Sequence, residues 1–378
     1  MSTGAAATTT TITADTPDSS TPGQLVVVSV TVSGAGIPTP TGTVAISGAD
    51  TNCTIALASG SGSCSVTFNT TGAKTLTATY SGDGNYAASS GTASHTVSKG
   101  STTTTITADT PDPSTPGQAV GVSVTVIGAG VTPTGTVAIS GADTNCTITL
   151  ASGSGSCNVV FNTIGAKTIT ATYNGDGNYL GSVDTEAHIV KNVSTTTITA
   201  DNPDPSTPGQ SVAVSVTVSG PGVVPTGSVA ITGADTNCNI PALDASGSGS
   251  CSVTFNTAGA KTLTATYSGD GNYVGSSGTA SHTVSQGSTT TTITADTLDP
   301  SAPFESVTVT VTVTGAGVTP TGTVAITGAD TTCTLTLAGG TGSCTVVFNS
   351  AGSKTLTATY NGDGNYLGSW DTEAHQVN

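Results

Sequence analysis

The chain has 378 residues and a formal net charge of −16. Its 22 acidic residues face only 6 basic ones, all lysine, and charged residues make up 7% of the whole. That balance lacks the basic footprint that nucleic acid or an anionic membrane surface requires, so both are set aside as partners. Aromatic residues are 4% and no apolar run reaches membrane-spanning length, so any core is built mainly from Val, Ile, Leu and Ala.

In chain order, MSTGAAA precedes the first element. The N-terminal stretch has no basic segment followed by an apolar one, the mark of an export signal. For a chain whose cysteines point outside the cell (below), this reads as a fragment or mature region of a longer protein with an added Met1. The first predicted strand is TTTTITAD (8–15), followed by TPDSSTPG, whose prolines and glycine make a turn. The second runs from Gln24 to Ser33, with Val26, Val28, Val30 and Val32 on one face. GAGIPTP leads into the third, GTVAIS, and GADTN into the fourth, CTIALA. The Gly/Ser segment GSGS is read as the loop before the fifth, CSVTFN. After NTTGA comes the sixth, KTLTATY, then SGDGN, then the seventh, GTASHTV. Thr alternates with Val, Ile and Leu at a period of two, a strand pattern rather than a disordered tract. Seven short strands with turn signals between them imply a two-sheet sandwich.

This series occurs four times. ATYSGDGNY around Tyr80 returns around Tyr173, Tyr267 and Tyr360, at spacings of 93, 94 and 93, the length of one small all-β domain. The expected domains are 8–99, 100–192, 193–286 and 287–378. They alternate in kind: the first and third end TASHTVS, the second and fourth contain DTEAH, so a two-domain block has been duplicated. We call these types a and b. About five residues separate one domain's last strand from the next domain's first, too few for a free linker, and an extended rod is expected.

Cysteines come one pair per domain: Cys53 and Cys64, Cys146 and Cys157, Cys238 and Cys251, Cys333 and Cys344. Their separations are 11, 11, 13 and 11. The expectation is one intradomain hairpin disulfide per domain, joining the adjacent fourth and fifth strands, in an oxidising extracellular setting. A metal site is not indicated, because no CxxC spacing or His cluster accompanies the pairs.

TPGQ before the second strand, PTGTV at the third and ATYxGDxNY after the sixth resemble the bacterial Ig-like repeat domains of cell-surface proteins. The resemblance covers nearly the whole chain. It implies tandem Ig-like sandwiches that serve mainly as extenders and sometimes as binding heads. It transfers no recognition site: no domain has Cys on its second and sixth strands or Trp on its third, and the lone Trp370 lies in the last strand.

The most site-like motif is GDGN, whose Asp83, Asp176, Asp270 and Asp363 are weak Ca²⁺ candidates. The competing reading is a hairpin turn that needs glycine. Thermal melts with and without EDTA that superimpose would exclude a calcium role. His95, His188, His282 and His375, one per domain, are read as structural residues without partners. Lys74, Lys167, Lys261 and Lys354 are read as solvated strand ends. No Ser/His/Asp, paired-carboxylate or phosphate-loop constellation is evident, so no enzymatic activity and no cofactor are expected. The leading expectation is a structural, adhesin-like stalk of a secreted or cell-surface protein that presents a distal module. The alternatives are a repeated glycan-binding module and a subunit of a self-assembling extracellular filament.

Overall fold

The computed structural model describes residues 4–36 and 38–378. Met1 and Ile37 of the GAGIPTP segment lie outside the described residues. Domain 1 is built of β1 (Thr8–Thr16), β2 (Leu25–Gly34), β3 (Thr43–Ser47), β4 (Cys53–Ala56), β5 (Ser61–Thr67), β6 (Gly72–Tyr80) and β7 (Ser89–Val97). These form two antiparallel sheets, β1-β2-β5 and β4-β3-β6-β7. The same seven strands in the same two sheets recur in each of the other three domains. The fold is therefore four tandem Ig-like sandwiches.

Alternation dictates the core. Along β2 every second residue turns inward, so Val26, Val28, Val30 and Val32 are all buried and face Val44, Ile46, Leu76 and Ala78 of the opposite sheet. Burying such side chains drives the two sheets together, at about 1.5–3 kcal/mol each. Phe68, Tyr80 and Tyr86 supply the bulk that the small aliphatics lack.

The disulfides form as paired in the sequence, but they are not hairpin bridges. β4 pairs with β3 and β5 pairs with β2, so Cys53 and Cys64 stand in opposite sheets, with their Cα atoms 6.2 Å apart. The physical reason lies in GSGS. Ser61, Gly62 and Ser63 are not a loop but the first residues of β5, registered against Thr31, Val30 and Ser29. The chain reverses before them, at Ser59 and Gly60, both at positive φ. Each disulfide thus clamps the edges of the sandwich together. In domain 3 the two extra residues lie in this sheet-to-sheet turn, between Cys238–Ile240 and Ser248–Thr254.

Types a and b differ where the first strand crosses the last. In domain 1 a Cβ on Gly91 would stand 2.1 Å from the Thr10 carbonyl oxygen, and Gly278 in domain 3 repeats this against Thr196. In the b domains the same position is Asp184 or Asp371, whose carboxylate accepts the Ile106 or Ile293 amide at 2.8 Å. The chain divides into two compact units, residues 1–191 and 192–378, each holding one a and one b domain.

Candidate functional site

Two clusters of titratable groups recur in every domain. One is at the end of the sandwich where β7 leaves. His95 points inward from β7 and is fully buried, with its ring stacked on Phe68 at 4.7 Å. Its Nδ1 donates to Asp15 Oδ2 at 2.8 Å, and Asp18 Oδ1 lies 3.6 Å away. Its Nε2 lies 2.8 Å from Ser20 Oγ. Asp15 comes from β1 in the opposite sheet and Asp18 and Ser20 from the β1–β2 loop, so one imidazole ties loop, strand and sheet together. Asp18 also accepts the Thr96 amide. Domains 2, 3 and 4 repeat the arrangement at His188, His282 and His375, with Ser contacts of 2.8–2.9 Å.

The histidines therefore do have partners, contrary to the sequence reading, and a Ser–His–Asp constellation exists in every domain. Its serines are shut away: Ser20, Ser114 and Ser206 are 0% exposed and Ser301 is 2%, so no substrate carbonyl reaches the hydroxyl without opening the loop. Asp15, Asp18 and His95 also bring one ligand atom each within 4.8 Å of one another, a geometry that could hold a metal ion. Here those atoms are engaged with each other and with the Thr96 amide.

The second is at the GDGN loop at the opposite end. Asp83 Oδ1 accepts the Asn85 and Tyr86 amides at 2.8 and 2.9 Å. Its Oδ2 accepts the Thr41 amide and hydroxyl at 2.8 and 2.9 Å. The four acceptor directions of the carboxylate are thus taken by the domain's own donors, as they are for Asp176, Asp270 and Asp363. The Thr41 amide, followed by that of Asn85, holds the Asp83 carboxyl well below its usual range. At Asp270 burial pulls upward, but the Thr226 and Asn272 amides outweigh it and set the value at about 2. Beneath the loop, burial and the charge of Asp363 push the Tyr360 hydroxyl up to about 12. Tyr86 anchors the loop by donating to the Pro38 carbonyl at 2.8 Å. PTGTV and GDGN, far apart in the chain, are thus two halves of one turn system.

Elsewhere, among the described residues, the surface offers little chemistry. A cleft of about 370 Å³ on domain 2, between Thr125–Gly128 and Ser152–Ser154, is lined without a titratable side chain. Lys74 Nζ donates to the Thr70 hydroxyl at an exposed strand end. Trp370 is 70% exposed, and Ser90, Val183 and Ser277 occupy its position in the other domains, so no aromatic platform repeats.

The sequence held a signal for the histidine lock. Each copy places Asp, Asp and Ser at one fixed spacing from the end of the first strand into the loop after it, as in Asp15, Asp18 and Ser20, and the His recurs at one place in the last. Turn chemistry explains acidic and hydroxyl residues there equally well, and only the closing of the two sheets shows them converging.

A family model described as bacterial Ig-like domain (group 3) matches residues 3–98, 103–191, 198–294 and 293–378. No curated protein matches the sequence. Among solved structures, the chain is similar to a tetra-tandem repeat in the extending region of a large adhesion protein, at 22% identity and TM-score 0.35, covering 98% of this chain and 100% of that one. It is also similar to invasin, a bacterial integrin-binding protein, at 16% identity and TM-score 0.39, covering 98% and 79%. A third is a Ca²⁺-stabilized adhesin that helps an Antarctic bacterium bind ice, at 23% identity and TM-score 0.25, covering 99% of each chain.

Proposed function

The chain belongs to the bacterial Ig-like domain (group 3) family, and from that premise we propose that it is a non-enzymatic stalk of a secreted or cell-surface protein that holds a distal module away from its anchor. The observation that carries this reading is the sameness of the four domains. Among the described residues, the constellation with catalytic residue types is buried and appears four times over. A binding head would be expected to differ from its neighbours at an exposed site, whereas these domains differ at half-buried strand crossings and scattered surface positions. Four disulfides suit an oxidising exterior, and the short junctions suit an extended rod.

Solution scattering tests the reading. Nine-residue strands span about 30 Å, so four sandwiches end to end give a rod with a radius of gyration of about 35 Å. A compact particle of this length gives about 21 Å. A value near the smaller figure would contradict the stalk.

A further inference from the structure

The lock at one end of a domain and the GDGN loop at the other meet inside each two-domain unit. In the first unit, the Ser98 amide donates to Ser20 O of domain 1, and the Gly100 amide donates to Asn178 O of domain 2. Leu180 N closes the second attachment by donating back to Gly100 O. Lys99 alone stands between the two anchored points, and its Nζ donates to the Asp176 carbonyl. The linker is thus one residue long.

Beside it the two domains touch directly. The Thr71 amide, in the β5–β6 turn of domain 1, donates to Asn178 Oδ1 at 3.0 Å, and the Thr71 hydroxyl donates to Gly177 O at 2.8 Å. Gly23 of the TPGQ loop and Gly130 of domain 2 approach so closely that a Cβ on Gly23 would lie 2.4 Å from Gly130 Cα.

The second unit repeats this arrangement with other side chains, except for the hydroxyl contact of Thr71, which Ala258 lacks. Ser285 is tied to Ser206 and Gly287 to Asn365. Gln286 stands where Lys99 does and donates to the Asp363 carbonyl. The Ala258 amide donates to Asn365 Oδ1 at 2.9 Å, and Gly209 meets Gly317. Thr71 becomes Ala258 and Lys99 becomes Gln286, yet the contact survives, because it is made by backbone amides, by glycines and by one asparagine. By contrast Asn85, the same residue in domain 1, is exposed.

We propose that Asn178 and Asn365 are interdomain latches, each gripping the β5–β6 turn of the domain before it, so that the a–b pair is the rigid module of the stalk. Within GDGN the aspartate folds the loop, while the asparagine of a b domain holds its neighbour. The proposal rests on the stalk reading for its purpose but not for its test, since scattering reports the stalk and a single amide reports the latch.

The test is amide hydrogen exchange by NMR on the full chain. In the native protein the Thr71 and Ala258 amides are expected to exchange well below the rate of an open turn. In Asn178→Ala the Thr71 amide speeds up about tenfold, the loss of one hydrogen bond. The Asn69 amide, bound to Asp50 within domain 1, and the Tyr179 amide, bound to Asp176 within domain 2, keep their rates and show that both domains remain folded. Asn178→Asp, which keeps the acceptor oxygen, retains protection at Thr71. Asn365→Ala acts likewise on Ala258. Open-turn rates at Thr71 and Ala258 in the native chain would overturn the latch, and so would protection at Thr71 that Asn178→Ala leaves in place.

Discussion

A buried imidazole needs both ring nitrogens satisfied, and His95 meets that demand with groups from two segments, Asp15 of β1 and Asp18 and Ser20 of the β1–β2 loop. The aspartates of the GDGN loop work in the reverse sense, as acceptors around which donors gather. This has a consequence for acid stability. Asp270 titrates at about 2 when folded, below its ordinary 3.8, and Asp83, Asp176 and Asp363 are lowered too. A lowered carboxyl stabilises the fold fully above the unfolded value, and that contribution drains away as pH falls towards the folded one. Denaturant midpoints are therefore expected to hold from pH 6 to about 4 and to drop between about 4 and 2. Replacing all four aspartates with Asn should lower the midpoint at pH 6 and flatten the acid limb; an unchanged limb would show that these groups do not set it. In the sequence the four aspartates stood out because Asp between two glycines is rare chemistry in so uncharged a chain. Their partner Thr41 did not, because 42 residues separate it from Asp83 and only the pairing of β3 with β6 brings the two loops together.

Strand placement was legible wherever alternation was clean, as along β2, because a valine at every second position admits one register only. It failed at GSGS, where Gly and Ser carry no facing preference. There the chain keeps its strand and changes sheet, since Gly62 lets β5 pass close under Ile55, whose Cγ2 would stand 2.4 Å from an added Cβ. That single misreading turned a sheet-to-sheet clamp into a hairpin bridge. The alternation of a and b domains was visible in the letters, while the contact that goes with it, at the crossing of the first and last strands, was not. Gly91 exists because β1 runs against it, with the Thr10 carbonyl 2.1 Å from where a Cβ would go. Gly91→Ala should therefore push β1 outward and cost domain 1 about 1–3 kcal/mol, the usual range for overpacking. The shift would be read from urea unfolding followed at domain 1 amides, and a loss under about 0.5 kcal/mol would mean that β1 yields freely.

For the stalk proposed above, the relevant property is how it answers a pull. Each domain resists through the ladders of two sheets, and once these part, chain is released except where a disulfide holds it back. Because the clamp joins two sheets, it also keeps β4 and β5 from separating after their ladders to β3 and β2 have gone. The withheld length follows from the covalent geometry. A segment of 11 residues, extended at about 3.5 Å each, less the 6.2 Å already spanned between Cα atoms, amounts to roughly 30 Å. The 13-residue segment of domain 3 withholds roughly 40 Å. Single-molecule stretching of the oxidised chain should give four unfolding steps, and reduction should lengthen three of them by roughly 30 Å and one by roughly 40 Å. Equal lengthening of all four, or none, would mean that the disulfides do not pair as described. If the a–b pairs are welded as proposed, the steps should also arrive in twos, because the first domain of a pair to yield removes the surface that braces its neighbour.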